Sequence, residues 1–96
     1  MRSMYIACYD VSDPGRLRRM FKTMKGFGDP LQYSVFLCLL SKEEKVVMLS
    51  RVREVMNTRE DRFMLAALGP EEGRGAEAFE YYGTATPVEK RRCVIV

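Results

Sequence analysis

The sequence predicts a single α+β domain in which two helices cover one face of a sheet of four or five strands. Helix-like and strand-like apolar patterns alternate along the 96 residues, and no linker long enough to divide the chain interrupts them. In addition, segments 4–9 and 61–68 carry apolar side chains at both odd and even positions. Both faces of the predicted sheet therefore need a cover.

The first two elements are a strand and a basic helix. The strand, residues 4–9, stops at the carboxylate of Asp10. The helix, residues 14–25, can be capped by Ser12 or Asp13 and ended by Gly26. Its buried stripe follows the spacing i, i+3, i+4, i+7 and consists of Leu17, Met20, Phe21 and Met24.

The middle of the chain reads as a turn, an extended segment and a second helix. We expect a turn at 28–30, followed by β-forming residues at 31–40. These residues form either one strand or two short strands joined by a kink near 33–34. The second helix, 42–56, begins at a capping box of Ser41 and Glu44. Its predicted apolar stripe is Val46, Leu49, Val52 and Met56.

The C-terminal third predicts a strand at 61–68, a loop at 69–76, and further strands at 77–83 and 93–96. We expect one domain, 1–96, with a core at 1–83 and a C-terminal extension at 84–96. Since no residues remain to cover the second face of the sheet, the simplest cover is a second copy related by a two-fold axis. The short terminal strand is then predicted to add to the partner's sheet edge.

Composition excludes several function classes. The net charge of +3 permits a nucleic-acid partner. No apolar run approaches the roughly 20 residues of a membrane span, and the N-terminus lacks a signal-peptide pattern, so we expect a cytoplasmic protein.

The absence of histidine excludes a histidine base or metal ligand. A metal would therefore be held by oxygen, which points to Mg²⁺ or Mn²⁺. Three scattered cysteines read as small buried hydrophobes: Cys8, Cys38 and Cys93.

Asp10 is the candidate metal ligand, because it lies at the carboxyl end of the first strand, where ligand sites often form. The alternative is a turn former or cap. One carboxylate is a poor Mg²⁺ site, whereas two carboxylates brought together by a dimer axis are plausible ligands. The corresponding reaction is phosphodiester hydrolysis.

Five basic residues on the first helix are candidate phosphate ligands, although a solvated helix face is the alternative: Arg16, Arg18, Arg19, Lys22 and Lys25. A second basic cluster occupies 90–92. Tyr33, Tyr81 and Tyr82 are either base-stacking or packing residues.

The motifs YDVSD (9–13) and GFGDPLQYSVFLC (26–38), with the capping-box helix and the GTATP…VIV tail, resemble the CRISPR-associated protein 2 family. The resemblance implies a ferredoxin-like fold with a mostly antiparallel four-stranded sheet, and a homodimer whose sheets face each other. It implies that Asp10 and its symmetry mate bind a divalent cation. It also implies nuclease activity on single-stranded RNA or double-stranded DNA, and work with the CRISPR-associated integrase (protein 1) in spacer acquisition and defence.

By the same resemblance, Tyr9 and Asp10 form the functional strand end. Phosphate contacts are expected at the start of the basic helix, from Arg16, Arg18 and Arg19, and we extend this expectation to Lys22. Ser34 and Phe36 are expected to face the cleft. Three hypotheses remain open: a metal-dependent nuclease, a non-catalytic DNA-binding scaffold for the integrase, and a ferredoxin-like regulatory module that binds a small ligand or a protein.

Overall fold

The structure, a computed structural model, describes residues 1–72, 78–80 and 82–83. Within these residues the elements follow in the order β1 (Ser3–Asp10), α1 (Pro14–Lys25), β2 (Gly28–Gln32), β3 (Val35–Leu40), α2 (Lys42–Val55) and β4 (Arg62–Pro70). The predicted α+β class is confirmed, and α1 has the predicted bounds. In the described part of the chain, neither helix has the length and hydropathy that crossing a bilayer requires.

The four strands form one antiparallel sheet in the order β2-β3-β1-β4. β1 lies between β3 and β4 and pairs with both strands. This register places Asp10 opposite Arg62, and Cys8 opposite Val35. As a result, the end of β1, the turn between β2 and β3, and the start of β4 meet at the same end of the sheet.

The helices cover one face of this sheet. The predicted stripe of α1 is confirmed, because Met20 and Met24 are fully buried while Leu17 and Phe21 pack against the core. Asp13 caps α1 by accepting a hydrogen bond from the backbone N–H of Arg16, at 2.9 Å. The buried residues of this helix-side core are Ala7, Tyr9, Val11, Met20, Met24, Phe36, Cys38, Leu40, Met48 and Val52.

The opposite face, called the open face below, carries the even-numbered side chains of β1 from Met4 to Asp10. Met4 and Leu37 are buried there. Partly buried apolar residues pack against them: Ile6, Leu31, Leu39, Leu68 and Phe79. Met64, which pairs with Cys8, remains 59% exposed. Apolar side chains thus occupy both faces of β1 as predicted, whereas the cover by a second chain stays a prediction.

The segment around Gly28 is a strand, so the predicted turn at 28–30 is wrong. Gly28 pairs with Cys38, and a Cβ atom at Gly28 would lie 2.5 Å from the carbonyl oxygen of Leu37. Glycine is therefore required by the close approach of β3. The chain reverses instead at Tyr33 and Ser34, which selects two short strands over one.

The apolar stripe of α2 is rotated from the predicted one. Met48 and Val52 are fully buried or nearly so, and Leu49 and Met56 are partly buried. Val46 is 67% exposed, which corrects its predicted place in the stripe. Positions 45, 48, 49, 52 and 56 follow the helical period equally well, and contact with the sheet selects that face.

The sequence predicts a strand at 77–83. The described residues of this segment, 78–80 and 82–83, do not belong to any strand. Phe79 nevertheless packs on the open face. Three predictions lie outside the described residues: the rest of the strand at 77–83, the terminal strand at 93–96, and the burial of Cys93.

The capping box of α2 yields a stability prediction. Ser41 Oγ accepts from the Glu44 backbone N–H at 3.1 Å, and the Glu44 carboxylate accepts from the Ser41 backbone N–H at 2.8 Å. Ser41→Ala removes the first bond and should lower the free energy of unfolding by about 1 kcal/mol. For a domain of this size, Tm in thermal denaturation should fall by about 4–8 °C.

The matched control is Ser50→Ala, at an exposed position inside α2. Because alanine has the higher helix propensity, this change should leave Tm unchanged or slightly raised. Equal Tm losses in the two variants would contradict a specific capping role for Ser41.

Candidate functional site

One end of the sheet brings together three segments, two of which the sequence marks as functional. Asp10 ends β1, Ser34 lies in the β2–β3 turn, and Arg62 begins β4. The backbone N–H of Tyr9 donates to the carbonyl oxygen of Ser34 at 3.1 Å, which joins the turn to the end of β1. Ser34 is half-buried, and its predicted contact with nucleic acid stays a prediction.

Asp10 lies on the open face with a side chain that is 73% exposed. Arg62 Nη2 donates a hydrogen bond to Asp10 Oδ2 at 3.1 Å, and the Arg62 side chain is 86% exposed. Surface ion pairs of this kind contribute only about 0–1 kcal/mol, so the contact can open at little cost. Sequence reasoning missed Arg62, because its place beside Asp10 follows from the β1–β4 register.

The described residues around Asp10 do not complete a metal site. Among the described residues, no three histidine, cysteine, aspartate or glutamate side chains cluster as metal ligands. The side chain that pairs with Asp10 is the cationic guanidinium of Arg62, and its positive charge opposes the binding of a divalent ion. A divalent cation at this position therefore requires further oxygen ligands from outside the described residues of one chain.

Arg16 does not belong with the exposed phosphate-binding candidates. Its Nε donates to Asp61 Oδ2 at 2.9 Å, and its Nη2 donates to Glu60 Oε1 at 2.9 Å. The Arg16 side chain is only 18% exposed. Its guanidinium is engaged in a structural ion pair, and its phosphate contact stays a prediction.

Asp61 is the centre of that ion pair, and its side chain is fully buried. Besides Arg16, it accepts hydrogen bonds from the backbone N–H groups of Ser12 at 3.1 Å and Asn57 at 2.8 Å. The hydrogen bond from Arg16 is the main cause that holds the pKa of Asp61 well below its usual range. Asp61 thus ties the β1–α1 loop to the α2–β4 loop. Sequence reasoning did not single out Asp61. The signal that could have indicated it is an acidic residue at the start of an apolar strand.

Other basic side chains of α1 are exposed as predicted: Arg18, Arg19, Lys22 and Lys25. Arg18, Lys22 and Lys25, called the basic row below, recur at i, i+4, i+7 and so lie along one side of the helix. Their phosphate contacts stay predictions. The basic cluster at 90–92 lies outside the described residues.

The two expected aromatic contacts, Tyr9 and Phe36, lie in the helix-side core. Phe36 is fully buried, with its ring centroid 6.2 Å from that of Tyr9. This corrects the expectation that Phe36 faces the cleft, because alternation along β3 turns it toward the helices. Tyr9 is 6% exposed, and burial raises its pKa to about 12. Its hydroxyl stays protonated and donates to the carbonyl oxygen of Tyr33 at 2.6 Å.

The remaining candidate tyrosines differ in setting. Tyr33 is 48% exposed, and its ring stacks on Phe21. Tyr82 is 86% exposed, while Tyr81 lies outside the described residues.

The cysteines that the structure describes are free, and burial is the main cause that raises the pKa of Cys38 to about 12. Cys38 is thus an unreactive packing residue, as predicted.

The strand order and the two helices on one face define a ferredoxin-like α+β protein. Residues 1–73 match the family model described as CRISPR associated protein Cas2. The chain therefore belongs to the Cas2 family, and the resemblance carried by YDVSD and QYSVF is confirmed.

Individual relatives agree with this assignment. The chain is 38% identical over 96 residues to the CRISPR-associated endoribonuclease Cas2 of Geobacter sulfurreducens, with both chains covered completely. It is 36% identical over 92 residues to the CRISPR-associated endoribonuclease Cas2 1 of Rhodospirillum rubrum, covering 96% of this chain and 89% of the relative. The crystal structure of Streptococcus pyogenes Cas2 at pH 6.5 superposes with a TM-score of 0.72 at 27% identity, covering 83% of this chain and 99% of that chain.

The buried Asp61 carboxylate predicts acid-sensitive stability. Its pKa in the folded state lies below the value of about 3.9 in the unfolded state, so the unfolded state binds more protons near pH 3. The stabilisation is complete above about pH 4 and declines as the pH falls. Asp61→Asn should lower Tm at pH 7, and its difference from wild type should shrink toward pH 2.

Thermal denaturation across this pH range checks the prediction. Wild type and variant share the other acid-sensitive group, Glu44, whose pKa is lowered to about 2 chiefly by hydrogen bonding to Arg2. The Tm difference between them therefore isolates Asp61. Glu60→Gln is the control, because Glu60 pairs with Arg16 from an exposed position. A Tm difference that stays the same at pH 7 and pH 2 would contradict this role of Asp61.

Proposed function

We propose that this chain acts in CRISPR spacer acquisition and defence as a metal-dependent endonuclease that hydrolyses phosphodiester bonds of single-stranded RNA or double-stranded DNA. The observation that carries the proposal is the position of Asp10, an exposed carboxylate at the end of β1 on the open face. The names of the Geobacter and Rhodospirillum relatives, which describe endoribonucleases, support it.

The proposed active unit is a homodimer in which the open faces of two chains meet. Asp10 of each chain then supplies one carboxylate to a shared Mg²⁺ or Mn²⁺. Such a metal lowers the pKa of bound water and stabilises the charge that develops on the phosphate. Support for the dimer comes from exposed apolar surface at Met64 and from partly exposed Ile6 and Cys8 beside it. Exchange of the extension 84–96 between partners is part of the same proposal.

The test of catalysis is Asp10→Asn, which removes the charge and keeps an oxygen facing Arg62. Mg²⁺-dependent cleavage of labelled RNA or duplex DNA should fall by at least about 100-fold, as when other groups that stabilise transition-state charge are removed. The matched control is Asp13→Asn. It removes a nearby exposed carboxylate but retains a good N-cap for α1. The control should cleave like wild type, and chelation of Mg²⁺ should stop cleavage in both.

Cleavage that survives in purified, folded Asp10→Asn protein would contradict the nuclease proposal. A second candidate is a dimeric DNA-binding scaffold for the CRISPR-associated integrase (protein 1). The ion pair between Asp10 and Arg62 favours this candidate, because a cation beside the carboxylate opposes metal binding. The scaffold requires that wild type shows no Mg²⁺-dependent cleavage and that Asp10→Asn binds duplex DNA and the integrase as wild type does.

The dimer has its own test, Met64→Lys. A charged side chain at the centre of an apolar interface should dissociate the dimer, because burying an unpaired charge is costly. Light scattering should give twice the chain mass of 11.1 kDa for wild type and about the chain mass for the variant. Val46→Lys is the matched control, since Val46 is equally exposed but lies on α2, away from the open face. A wild-type monomer would instead support the regulatory-module hypothesis.

A further inference from the structure

The side chain of Tyr33 forms an exposed aromatic surface at the β2–β3 turn. Its ring lies parallel to that of Phe21, with centroids 4.5 Å apart and an interplanar angle of 6°. Phe21 covers one ring face, yet Tyr33 remains 48% exposed. Since Phe21 stacks on one face, we infer that the exposed area includes the opposite face and the edge of the ring, which could receive another flat group.

The turn that carries Tyr33 is fixed by its backbone. The buried hydroxyl of Tyr9 donates to the Tyr33 carbonyl oxygen at 2.6 Å, and the Tyr9 backbone N–H donates to the Ser34 carbonyl oxygen at 3.1 Å. Since Phe21 holds the ring as well, little conformational entropy remains to be lost when a ligand stacks on it. Both hydrogen bonds use backbone oxygens, so they survive replacement of the Tyr33 side chain.

Positive charge borders this stacked pair. Lys25 Nζ lies 5.7 Å from the centroid of the Phe21 ring. Arg18 precedes Phe21 by one helical turn, and Lys22 follows it directly, so the basic row runs alongside the ring. An exposed aromatic face next to a line of cations has the chemistry that recognises a nucleotide: the base stacks and the phosphates meet the cations.

We propose that the exposed face of Tyr33 stacks on an unpaired nucleobase while the basic row contacts the adjoining phosphates. The preferred ligand is then single-stranded nucleic acid, because bases inside a duplex have both faces covered by their neighbours. This inference rests on the proposed nucleic-acid function and specifies its substrate class. The stacking platform and Asp10 are at the same end of the sheet, since Tyr9 contacts the turn and precedes Asp10 in β1.

The experiment measures binding of a labelled, unstructured RNA of about ten nucleotides by fluorescence anisotropy, in a chelator to prevent cleavage. Tyr33→Ala and Tyr33→Leu should raise Kd by about 5-fold to 100-fold, the range expected for loss of one stacked base. Tyr33→Phe, which keeps the ring, should stay within about 2-fold of wild type. A duplex DNA of equal length should bind all these variants with the same Kd as wild type. Val47→Ala, at a position of α2 that is 46% exposed, is the matched control for loss of an exposed apolar side chain and should not change Kd.

Three results would overturn the inference: unchanged RNA binding by Tyr33→Ala, full affinity in Tyr33→Leu, or an equal loss of duplex binding. A changed molecular mass of Tyr33→Ala in light scattering would also overturn the inference, since Tyr33 would then be a contact between chains. Cleavage by wild type and Asp10→Asn is measured separately. Unchanged RNA binding by Tyr33→Ala together with Asp10-dependent cleavage would refute the stacking platform and leave the nuclease proposal intact.

Discussion

The buried carboxylate of Asp61 is the constraint on which the functional end of the sheet depends. A charge removed from water must be matched by donors. The donors here are Ser12 of the β1–α1 loop, Arg16 of α1 and Asn57 of the α2–β4 loop. Moving the loops apart would strip Asp61 of its donors. The loops therefore hold the end of β1 and the start of β4 in register, which places Asp10 and Arg62 side by side.

The arginines and lysines of α1 have two different roles that sequence proximity conceals. Arg16 faces the loop junction and holds Asp61, so it contributes to the stability of the site without being available to a ligand. From Arg18 onward a different side of the helix faces solvent, and Arg18, Lys22 and Lys25 are exposed. The positive charge of the basic helix is thus divided between internal support and a surface that anions can reach.

Local signals in the sequence were sufficient for elements whose causes are local. The bounds of α1 and the capping box at Ser41 depend on residues within one or two turns, and Asp10 stands out because it interrupts an apolar run. Gly28, Asp61 and Arg62 acquire their roles from strands and loops distant in sequence. Their partners depend on strand register, which alternation of apolar residues constrains but does not specify when both faces are apolar.

The exposure of Asp10 and Arg62 makes the site sensitive to ionic strength in two opposing ways. Dissolved ions screen surface charges within about a Debye length, roughly 8 Å at physiological salt. Added salt therefore weakens the hold of Arg62 on Asp10 and leaves the carboxylate more open to other cations. If the basic row binds phosphates as proposed, the same ions compete with them, and the affinity for nucleic acid falls. For the proposed nuclease, the two effects together favour an intermediate salt concentration, at which the carboxylate is accessible and the nucleic acid remains bound.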